Sequence, residues 1–395
     1  MPAALRQTAT RDIITDYETA LCERFEVKHA FATTTEQDAA KAALIVAGVT
    51  PGSEVILSVL SEYKVAASIL AVGATPVFCD VYPHMFFSNA ADMQRRITPK
   101  TSAIMVTGQW GTPGLGIEHE KLSKATGLPT INYATTGLGS KYGKYEGAQA
   151  LVNCFGTSSG LVMNAGQGGV VLTDDEQVAE KITALGLEKP KADVCEKGLY
   201  AIEDLTRKQK YYTGRLQEPF PALWSLGTHL DPHIYRLIKI SYAYTQLFLY
   251  RGAEPDYTNP AYKRADDVAN FIESTGLIPG YGDCKVKMLT SYTDMAEIHA
   301  ARPPVSGTEE EFRNAKTVLR DILVIPNDDS VPKENWDRLA ELLYYKMVPG
   351  TYEPENNPAP FLFSNRDEYR PETNEAPPAW DFVPEWFKKG KFSPT

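Results

Sequence analysis

The stretch best equipped for chemistry is residues 152–173, which reads VNCFGTSSGLVMNAGQGGVVLT. Gly166, Gly168 and Gly169 come just before an apolar, β-branched run, and such glycines let the backbone turn sharply and approach a ligand or another chain closely. Thr157 and Ser158 supply hydroxyls in the preceding turn. A hydroxyl becomes a nucleophile only beside a base, and no histidine or aspartate partner stands nearby in the sequence. The pattern therefore favours a turn that binds a ligand over a nucleophile.

The composition excludes several classes of function. The 395 residues carry a net charge of −10 with a pI near 5.3, whereas nucleic-acid binders usually present a basic face. No run of about 18 apolar residues predicts a membrane span, and the first residues lack the apolar core of a signal peptide, so we expect a cytoplasmic protein. The five cysteines are scattered and odd in number, which indicates free or buried thiols and neither a disulfide framework nor a metal site.

Strand and helix patterns alternate along the first 173 residues. Apolar residues at helical spacing predict helices over 12–26, 34–48, 64–72 and 118–127. Short β-branched runs predict strands over 28–33, 55–60, 77–81, 102–107 and 130–134. This rhythm is typical of βαβ units, so the sequence predicts a parallel sheet that is covered by helices on both faces.

The second half of the chain is less regular. Residues 188–231 read as a surface connection, and helical patterns follow at 234–250, 259–275, 308–319 and 333–345. Thr308 and Glu311 have the spacing of a capping box, which predicts that a helix starts there. We predict a large domain over residues 1–240, a small α+β domain over 241–349, and a Pro- and aromatic-rich tail over 350–395 that wraps the domain or a partner subunit.

Several segments, in the same order, resemble one family. They are VTPGSEV (49–55), GATPVFCDV (73–81), ITPKTSAI (97–104), GQGG (166–169) and NAKTVLRDILVIP (314–326). Together they are similar to the DegT/DnrJ/EryC1/StrS sugar aminotransferases, which have the pyridoxal-phosphate fold type I. The resemblance covers about residues 12–349. It implies an aspartate-aminotransferase-like α/β fold, with a mainly parallel sheet in the large domain and a smaller α+β C-terminal domain.

The resemblance fails at the family's Schiff-base lysine. Counting back from the glycine segment, the lysine position is Leu161, and no lysine lies between Lys144 and Lys181. Some relatives of this fold replace the lysine with histidine, but none of the six histidines lies near position 161. Transamination needs the electron sink of the cofactor, so it is not expected here.

The other cofactor contacts of the family are changed as well. Where the family holds the phosphate with S-G-T, this chain has Thr35-Glu36-Gln37. A carboxylate about 4 Å from one phosphate charge would repel it by roughly 4 kcal/mol at an effective dielectric of about 20. Tyr133 stands at the position of the Asp that pairs with the ring nitrogen, and Thr136 at the position of the family's Gln. We therefore expect no bound pyridoxal phosphate, and no other cofactor or metal.

The fold that the resemblance implies would gather polar and aromatic side chains in one cleft at the carboxyl ends of the strands. Glu36 and Tyr133 are the catalytic candidates, as general base and general acid. The candidates for substrate binding are Gln37, Glu62, Tyr63, Gln109, Trp110, Thr136, Thr157, Ser158, Asn164 and Arg236. Simpler roles stay open, because Glu36 could cap its helix, Tyr133 could fill the cavity, and Trp110 could pack at a dimer interface.

These residues leave three functions open. The first is a cofactor-independent enzyme of natural-product or modified-sugar biosynthesis, which catalyses condensation, cyclisation, isomerisation or elimination on a small polar substrate by acid/base chemistry. The second is a catalytically silent subunit that partners an active aminotransferase, and the third is residual binding of pyridoxal or pyridoxamine phosphate. For the enzyme, the resemblance implies a homodimer with the cleft at the subunit interface, and we expect no nucleic-acid or membrane partner.

Overall fold

The fold is taken from a computed structural model. It describes residues 12–83, 86–114, 116–134, 136–142, 144–157, 163–214, 244–248, 264–301, 310–326 and parts of 331–343. The chain forms two compact units. The first comprises Met1–Tyr211, Ile238–Ala243 and Lys287–Ala315, and the second comprises Tyr212–Leu237, Tyr244–Val286 and Lys316–Thr395. The predicted domain boundaries and the tail over 350–395 stay predictions, and the tail lies outside the described residues.

The first unit is built on a seven-stranded sheet. Its strands are β1 (His29–Thr33), β2 (Glu54–Ser58), β3 (Thr75–Cys79), β4 (Thr101–Gly108), β5 (Thr130–Ala134), β8 (Val152–Gly156) and β9 (Gly169–Thr173), while β6 (Lys141–Tyr142) and β7 (Lys144–Tyr145) form a small separate hairpin. The strand order is β1-β9-β8-β5-β4-β2-β3. All neighbours run parallel except β9, which is antiparallel to both β8 and β1. The predicted mainly parallel sheet is confirmed.

The helices of this unit begin where the sequence supplies caps. They are α1 (Ile13–Phe25), α2 (Glu36–Val46), α3 (Tyr63–Ala71), α4 (Ala90–Arg95), α5 (Ile117–Thr126), α6 (Glu176–Ala184), α7 (Ala192–Gly214) and, beyond the sheet, α9 (Thr293–Ala300). The Asp12 carboxylate accepts a hydrogen bond from the Ile14 N–H at 3.2 Å at the start of α1. The Thr35 hydroxyl accepts one from the Asp38 N–H at 3.1 Å at the start of α2. Both contacts satisfy donors that a helix start would otherwise leave unpaired.

The sheet presents two different faces. In the register of β4 and β5, Thr107 lies beside Tyr133 and Val106 beside Asn132. Since neighbouring residues in a strand point to opposite faces, Thr107 and Tyr133 share one face, whereas Gly108 and Asn132 share the other. The face of Gly108 also carries the apolar core around Val106, Ile104 and Leu122. The two faces therefore carry different polar residues at the same edge of the sheet.

Residues on either side of the stretch 302–309 form hydrogen bonds with the ends of the sheet strands. The Leu289 N–H donates to the Val59 carbonyl at 2.7 Å, directly after β2. The Asp80 carboxylate, just after β3, accepts from the N–H groups of Asn314 and Ala315 at 3.0 and 2.8 Å. These contacts supply an N-terminal cap for the following helix from outside its own sequence.

In the second unit, β10 (Tyr244–Phe248) pairs antiparallel with β11 (Ile322–Pro326). The helices are α8 (Ala265–Thr275) and α10 (Arg313–Asp321), the latter spanning the boundary between the units. The Tyr281 hydroxyl donates to the Val324 carbonyl at 3.0 Å, which fastens a short 3-10 turn to β11.

Three element predictions are wrong. The surface connection predicted over 188–231 contains α7, which packs on the core through Cys195, Leu199 and Ile202. The helix predicted over 234–250 contains a strand at 244–248, because the β-branched and aromatic residues there pair with β11. The helix predicted from Thr308 begins at Arg313, since the Asp80 carboxylate caps it and the proposed capping box lies outside it.

Candidate functional site

Four ionisable side chains meet at the carboxyl ends of the central strands; we call Glu36, Glu62, Lys64 and Tyr133 the Glu36 cluster. The Tyr133 hydroxyl donates a hydrogen bond to Glu36 Oε1 at 2.9 Å. Lys64 Nζ lies 3.0 Å from the same oxygen and 3.2 Å from Glu62 Oε2. The two predicted catalytic residues are therefore in direct contact, joined by a lysine that the sequence analysis did not single out.

Three elements deliver these side chains. Glu36 is the first residue of α2, Tyr133 is the fourth of the five residues of β5, and Glu62 and Lys64 flank the first residue of α3. The N-termini of α2 and α3 both meet at the cluster, and the positive end of each helix dipole favours carboxylates there. Glu36 does not cap α2, because the Thr35 hydroxyl already does.

A glycine makes room for Glu36. A Cβ atom added to Gly156, the last residue of β8, would lie 2.3 Å from the Glu36 carboxyl carbon. Real Cβ atoms essentially never come this close, so the Glu36 carboxylate rests directly on the backbone of Gly156. The strand end and the first turn of α2 thus fix where the carboxylate lies.

Burial and charge set the protonation of the cluster. Tyr133 is 1% exposed, and burial, reinforced by the nearby Glu36 carboxylate, raises its pKa well above the ordinary value of 10.0. For Lys64, burial alone would lower the pKa, but the carboxylates of Glu62 and Glu36 outweigh it and raise the pKa above 10.5. Near neutral pH the phenol and the ammonium are both protonated, so each can donate.

Two buried acceptors in this region have no hydrogen-bond partner among the described residues. Gln109 is 1% exposed, and its Nε2 donates to the Leu60 carbonyl at 2.8 Å while its Oε1 accepts nothing. Glu62 Oε2 pairs with Lys64, whereas the buried Glu62 Oε1 is unpaired. Buried polar atoms are normally satisfied, so these two oxygens are suited to donors brought by a ligand.

Trp110 and Thr136 hold the loop that follows β4. Trp110 has a φ of +52°, in the left-handed region that a large side chain seldom adopts. Its N–H donates to the Thr136 hydroxyl at 2.6 Å, and the Gly111 N–H donates to the Thr136 carbonyl at 3.0 Å. Thr136 therefore shapes the loop through both its side chain and its backbone.

The remaining candidates lie elsewhere or cannot be placed. The Tyr63 side chain is 40% exposed, and its hydroxyl donates to Asp294 Oδ2 at 2.8 Å. The buried Thr157 hydroxyl donates to the Gly166 carbonyl at 3.0 Å. Gln37 and Asn164 are exposed to solvent, so the structure does not gather them with the cluster. The other two predicted residues, Ser158 and Arg236, and the lysine position Leu161 lie outside the described residues.

Lys64 is the residue that sequence reasoning missed. The pattern Glu62-x-Lys64 at a predicted helix start could have indicated that Lys64 belongs to the site. Both side chains of such a pair can reach a group that lies above the first turn of the helix. The resemblance drew attention instead to the neighbouring aromatic, Tyr63. Within the described part of the chain, no group of three His, Cys, Asp or Glu residues could hold a metal ion, and Cys22, Cys79, Cys154 and Cys195 are free thiols.

Comparison with known proteins finds a family match for the N-terminal part of this chain. Residues 6–195 match the DegT/DnrJ/EryC1/StrS aminotransferase family. This part of the chain belongs to that family. Among curated relatives, the GDP-perosamine synthase of Caulobacter vibrioides is 32% identical over 173 residues, which is 44% of this chain and 47% of that protein. The pleiotropic regulatory protein of Geobacillus stearothermophilus is 29% identical over 60% of this chain and 63% of that protein. The match thus spans about half to just under two thirds of these relatives.

Solved structures agree on the fold over a longer stretch. An aminotransferase from Psychrobacter cryohalolentis superposes with a TM-score of 0.69 and 18% identity, covering 85% of this chain and 91% of that one. The GDP-4-keto-6-deoxy-D-mannose-3-dehydratase of E. coli, with bound hydrated pyridoxal phosphate, superposes with a TM-score of 0.66 and 14% identity, covering 85% and 92%. The predicted fold type I architecture is confirmed. Among the described helices of this chain, none is long and apolar enough to cross a membrane.

Proposed function

We propose that this protein is an aminotransferase-fold enzyme that works without pyridoxal phosphate and catalyses acid/base chemistry on a small polar substrate. The observation that carries the proposal is the contact of Glu36 Oε1 with both the Tyr133 hydroxyl and the Lys64 ammonium, at 2.9 and 3.0 Å. A carboxylate between two protonated donors places a base and two acids within a single contact. The position of the cluster at the carboxyl ends of parallel strands suits a ligand site.

The side chains present do not fit pyridoxal phosphate, and this disagreement supports the proposal. The helix start that would take the phosphate carries the Glu36 carboxylate, with Glu62 at the neighbouring helix start. Each carboxylate would repel a phosphate charge about 4 Å away by roughly 4 kcal/mol. The Tyr133 hydroxyl donates to Glu36, and it carries no charge with which to pair a protonated ring nitrogen. The proposed reaction therefore does not use that cofactor.

The charges of the Glu36 cluster favour a particular substrate class. Two carboxylates and one ammonium leave one net negative charge, and the unpaired Glu62 Oε1 and Gln109 Oε1 are both acceptors. A ligand that brings hydroxyl or amino donors would satisfy them, whereas an anionic group would not. We infer that the reacting part of the substrate is a hydroxylated or amino-bearing carbon skeleton. A modified sugar is one such compound, and the curated relatives that are GDP-perosamine synthases support that choice.

We assign a role to each of three residues of the Glu36 cluster. Glu36 removes a proton, which is most useful at a carbon next to a carbonyl group. The Lys64 ammonium stabilises the negative charge that develops on the carbonyl oxygen. Tyr133, which stays protonated because of its burial, gives a proton to the product. Glu36 then passes the proton that it removed to the Tyr133 oxygen, which restores both residues. Proton removal of this kind begins isomerisation, elimination and condensation alike, so one mechanism covers the proposed reactions.

Hydrogen–deuterium exchange tests this step even when the product is unidentified. Candidate keto sugars, free and nucleotide-linked, are incubated with the protein in D₂O, and loss of carbon-bound hydrogen is followed by NMR. We expect exchange with the wild type and a fall of about 10²-fold or more with Glu36→Gln, because a positioned base contributes about 10²–10⁴. Glu180→Gln, an exposed glutamate on α6, is the matched control and should exchange as the wild type does. Exchange that persists in Glu36→Gln would remove Glu36 from the reaction.

The absence of the cofactor is tested separately. Purified protein is incubated with pyridoxal phosphate, reduced with borohydride and analysed by absorbance and mass spectrometry, with a lysine-bearing GDP-perosamine synthase as the positive control. We expect no absorbance band that survives dialysis and no covalent adduct. A stable band would overturn the proposal and make amino transfer the leading function.

The similarity to GDP-perosamine synthases favours a second candidate, in which this chain is a silent subunit of an active aminotransferase. The enzyme proposal instead implies a homodimer with the cleft at the subunit interface. Co-expression with a lysine-bearing relative, followed by size-exclusion chromatography and mass spectrometry, distinguishes them. A stable mixed complex that shows amino transfer, with no exchange by this chain alone, would favour the silent subunit.

A further inference from the structure

A second buried acid lies on the opposite face of the sheet from Tyr133. Glu146 is 0% exposed, and its Oε2 accepts a hydrogen bond from the Gly114 N–H at 2.9 Å. A Cβ atom added to Gly108 would lie 2.1 Å from Glu146 Oε1, so the carboxyl group is seated on the Gly108 backbone. Residues 108–114, which we call the 108–114 loop, are thus held at both ends by one side chain.

The Asn132 amide adjoins this carboxyl group. Asn132 is 0% exposed, and its amide and the Gly108 N–H lie close enough to Glu146 to lower its pKa, although neither Asn132 side-chain atom nor Glu146 Oε1 has a hydrogen bond of full geometry within the described structure. Asn132 and Gly108 share a face of the sheet, so Asn132 points to the side on which Glu146 lies. An ionised Glu146 would place a full charge in a site that is 0% exposed, where the Gly114 N–H donates to Oε2 but Oε1 faces the Asn132 amide without a well-formed hydrogen bond among the described residues. A proton on Oε1 would give the Asn132 oxygen the donor that it lacks.

We propose that Glu146 is a positioning residue for the candidate site, which in the folded protein carries a proton shared with Asn132 and thereby fixes the 108–114 loop. The loop carries Gln109 and Trp110, two residues of the cleft. The inference rests on the proposed function only in taking that cleft as the place of reaction.

The surroundings of Glu146 support a proton that titrates near neutrality. Burial raises its pKa from 4.5 to about 7, against the lowering effect of the Gly114 N–H, the neighbouring Asn132 amide and the Gly108 N–H. None of residues 101–114 or 136–140 is titratable, and Tyr133, the titratable residue of β5, points to the other face. The titratable residues that adjoin Glu146 in sequence are those of the hairpin, namely Lys141, Tyr142, Lys144 and Tyr145.

The backbone residue in contact with Glu146 directly precedes a residue of the candidate site. Gly108 rests against the Glu146 carboxyl, and the next residue, Gln109, donates to the Leu60 carbonyl beside the Glu36 cluster. Trp110 follows with its strained φ of +52°, tied to the Thr136 hydroxyl. A backbone held this tightly cannot absorb a change at Gly108 without moving Gln109 or Trp110. Loss of the Glu146 proton is therefore transmitted to the cleft.

Fluorescence of Trp110 tests the inference. The emission of the wild type is measured from pH 5 to 9, and the Trp110→Phe signal is subtracted to isolate Trp110 from the other four tryptophans. We expect a transition with a midpoint near 7 in the wild type and in the control Glu180→Gln, and none in Glu146→Gln. An unchanged transition in Glu146→Gln, or no Trp110 transition in the wild type, would overturn the inference.

A second measurement keeps the test valid should Glu146→Gln fail to fold. Infrared difference spectra of the wild type across the same pH range report the stretching band of a protonated carboxyl group directly. The band must disappear with a midpoint near 7, and its absence at pH 6 would refute the shared proton. Neither measurement uses a substrate, so failure here leaves the acid/base proposal standing, and failure of the exchange experiment leaves this one intact.

Discussion

The ion pair in the Glu36 cluster can be measured with a double-mutant cycle. Glu36→Gln keeps the shape of the side chain and its contact with Tyr133 but removes the charge that faces Lys64. The atoms lie 3.0 Å apart, and two unit charges at that distance attract by about 5.5 kcal/mol at an effective dielectric of about 20. Desolvation offsets much of this attraction, because the Glu36 side chain is only 17% exposed and the Lys64 side chain 33%.

The expected coupling lies between two measured limits. Exposed pairs contribute about 0.2–1 kcal/mol, whereas breaking a fully buried pair costs about 3–5 kcal/mol. We expect Glu36→Gln to lower the free energy of unfolding by about 1–3 kcal/mol. We expect a coupling free energy of about 1–2 kcal/mol between Glu36→Gln and Lys64→Met, since the double variant removes both charges of the pair.

The assay is denaturant unfolding of the wild type, both single variants and the double variant, followed by circular dichroism. The matched control is Glu118 with Lys121 on α5, which are 2.8 Å apart but have a lysine side chain that is 65% exposed. Its coupling should stay below about 0.5 kcal/mol. A coupling of that size or less between Glu36 and Lys64 would refute the reasoning, because the carboxylate would then not be held by charge.

Three further expectations follow from single contacts. The pKa of Glu146 is raised from 4.5 to about 7, so the folded protein binds more protons than the unfolded chain between these two pH values. The free energy of unfolding should therefore fall by about 3 kcal/mol as the pH rises through that window, and then level off. Denaturant unfolding of Glu146→Gln should lack this pH-dependent component. Thr35→Ala should lower the free energy of unfolding by about 1 kcal/mol in the same assay, since α2 loses its cap, whereas Thr35→Ser should leave it nearly unchanged. Gly156→Ala should lower the free energy of unfolding by about 1–3 kcal/mol, because the new methyl group collides with Glu36. The same collision should shift the pH dependence of hydrogen–deuterium exchange. A wild-type pH profile in that variant would contradict the close contact.

Much of the sheet unit could be predicted because its signals are local. Alternating strand and helix patterns over residues 12–134 are short-range and mutually consistent, and Thr35 has the chemistry of a cap at the start of a helical run. The contact between Glu36 and Tyr133 was also within reach. Parallel strands and the helices that follow them present their ends at one edge, so two residues at such ends meet.

Other features depend on partners that are remote in sequence. The start of α10 is set by Asp80, more than two hundred residues earlier, and a local capping pattern at Thr308 and Glu311 could not compete with it. The strand at 244–248 is specified by its pairing with β11. Glu146 follows a short hairpin without periodicity, so nothing in the sequence distinguishes a fully buried acid there from an exposed turn residue.

The placement of β9 has a consequence for synthesis of the chain. In the described sheet, β1 pairs with β9 alone, and β9 is also the outer neighbour of β8. A nascent chain that has left the ribosome only as far as β8 therefore exposes the bare edges of β1 and β8 at the same time, and bare edges invite pairing with other chains. Productive folding should begin late, when residue 173 emerges, and fragments that end before residue 169 should aggregate where fragments that include β9 stay dispersed.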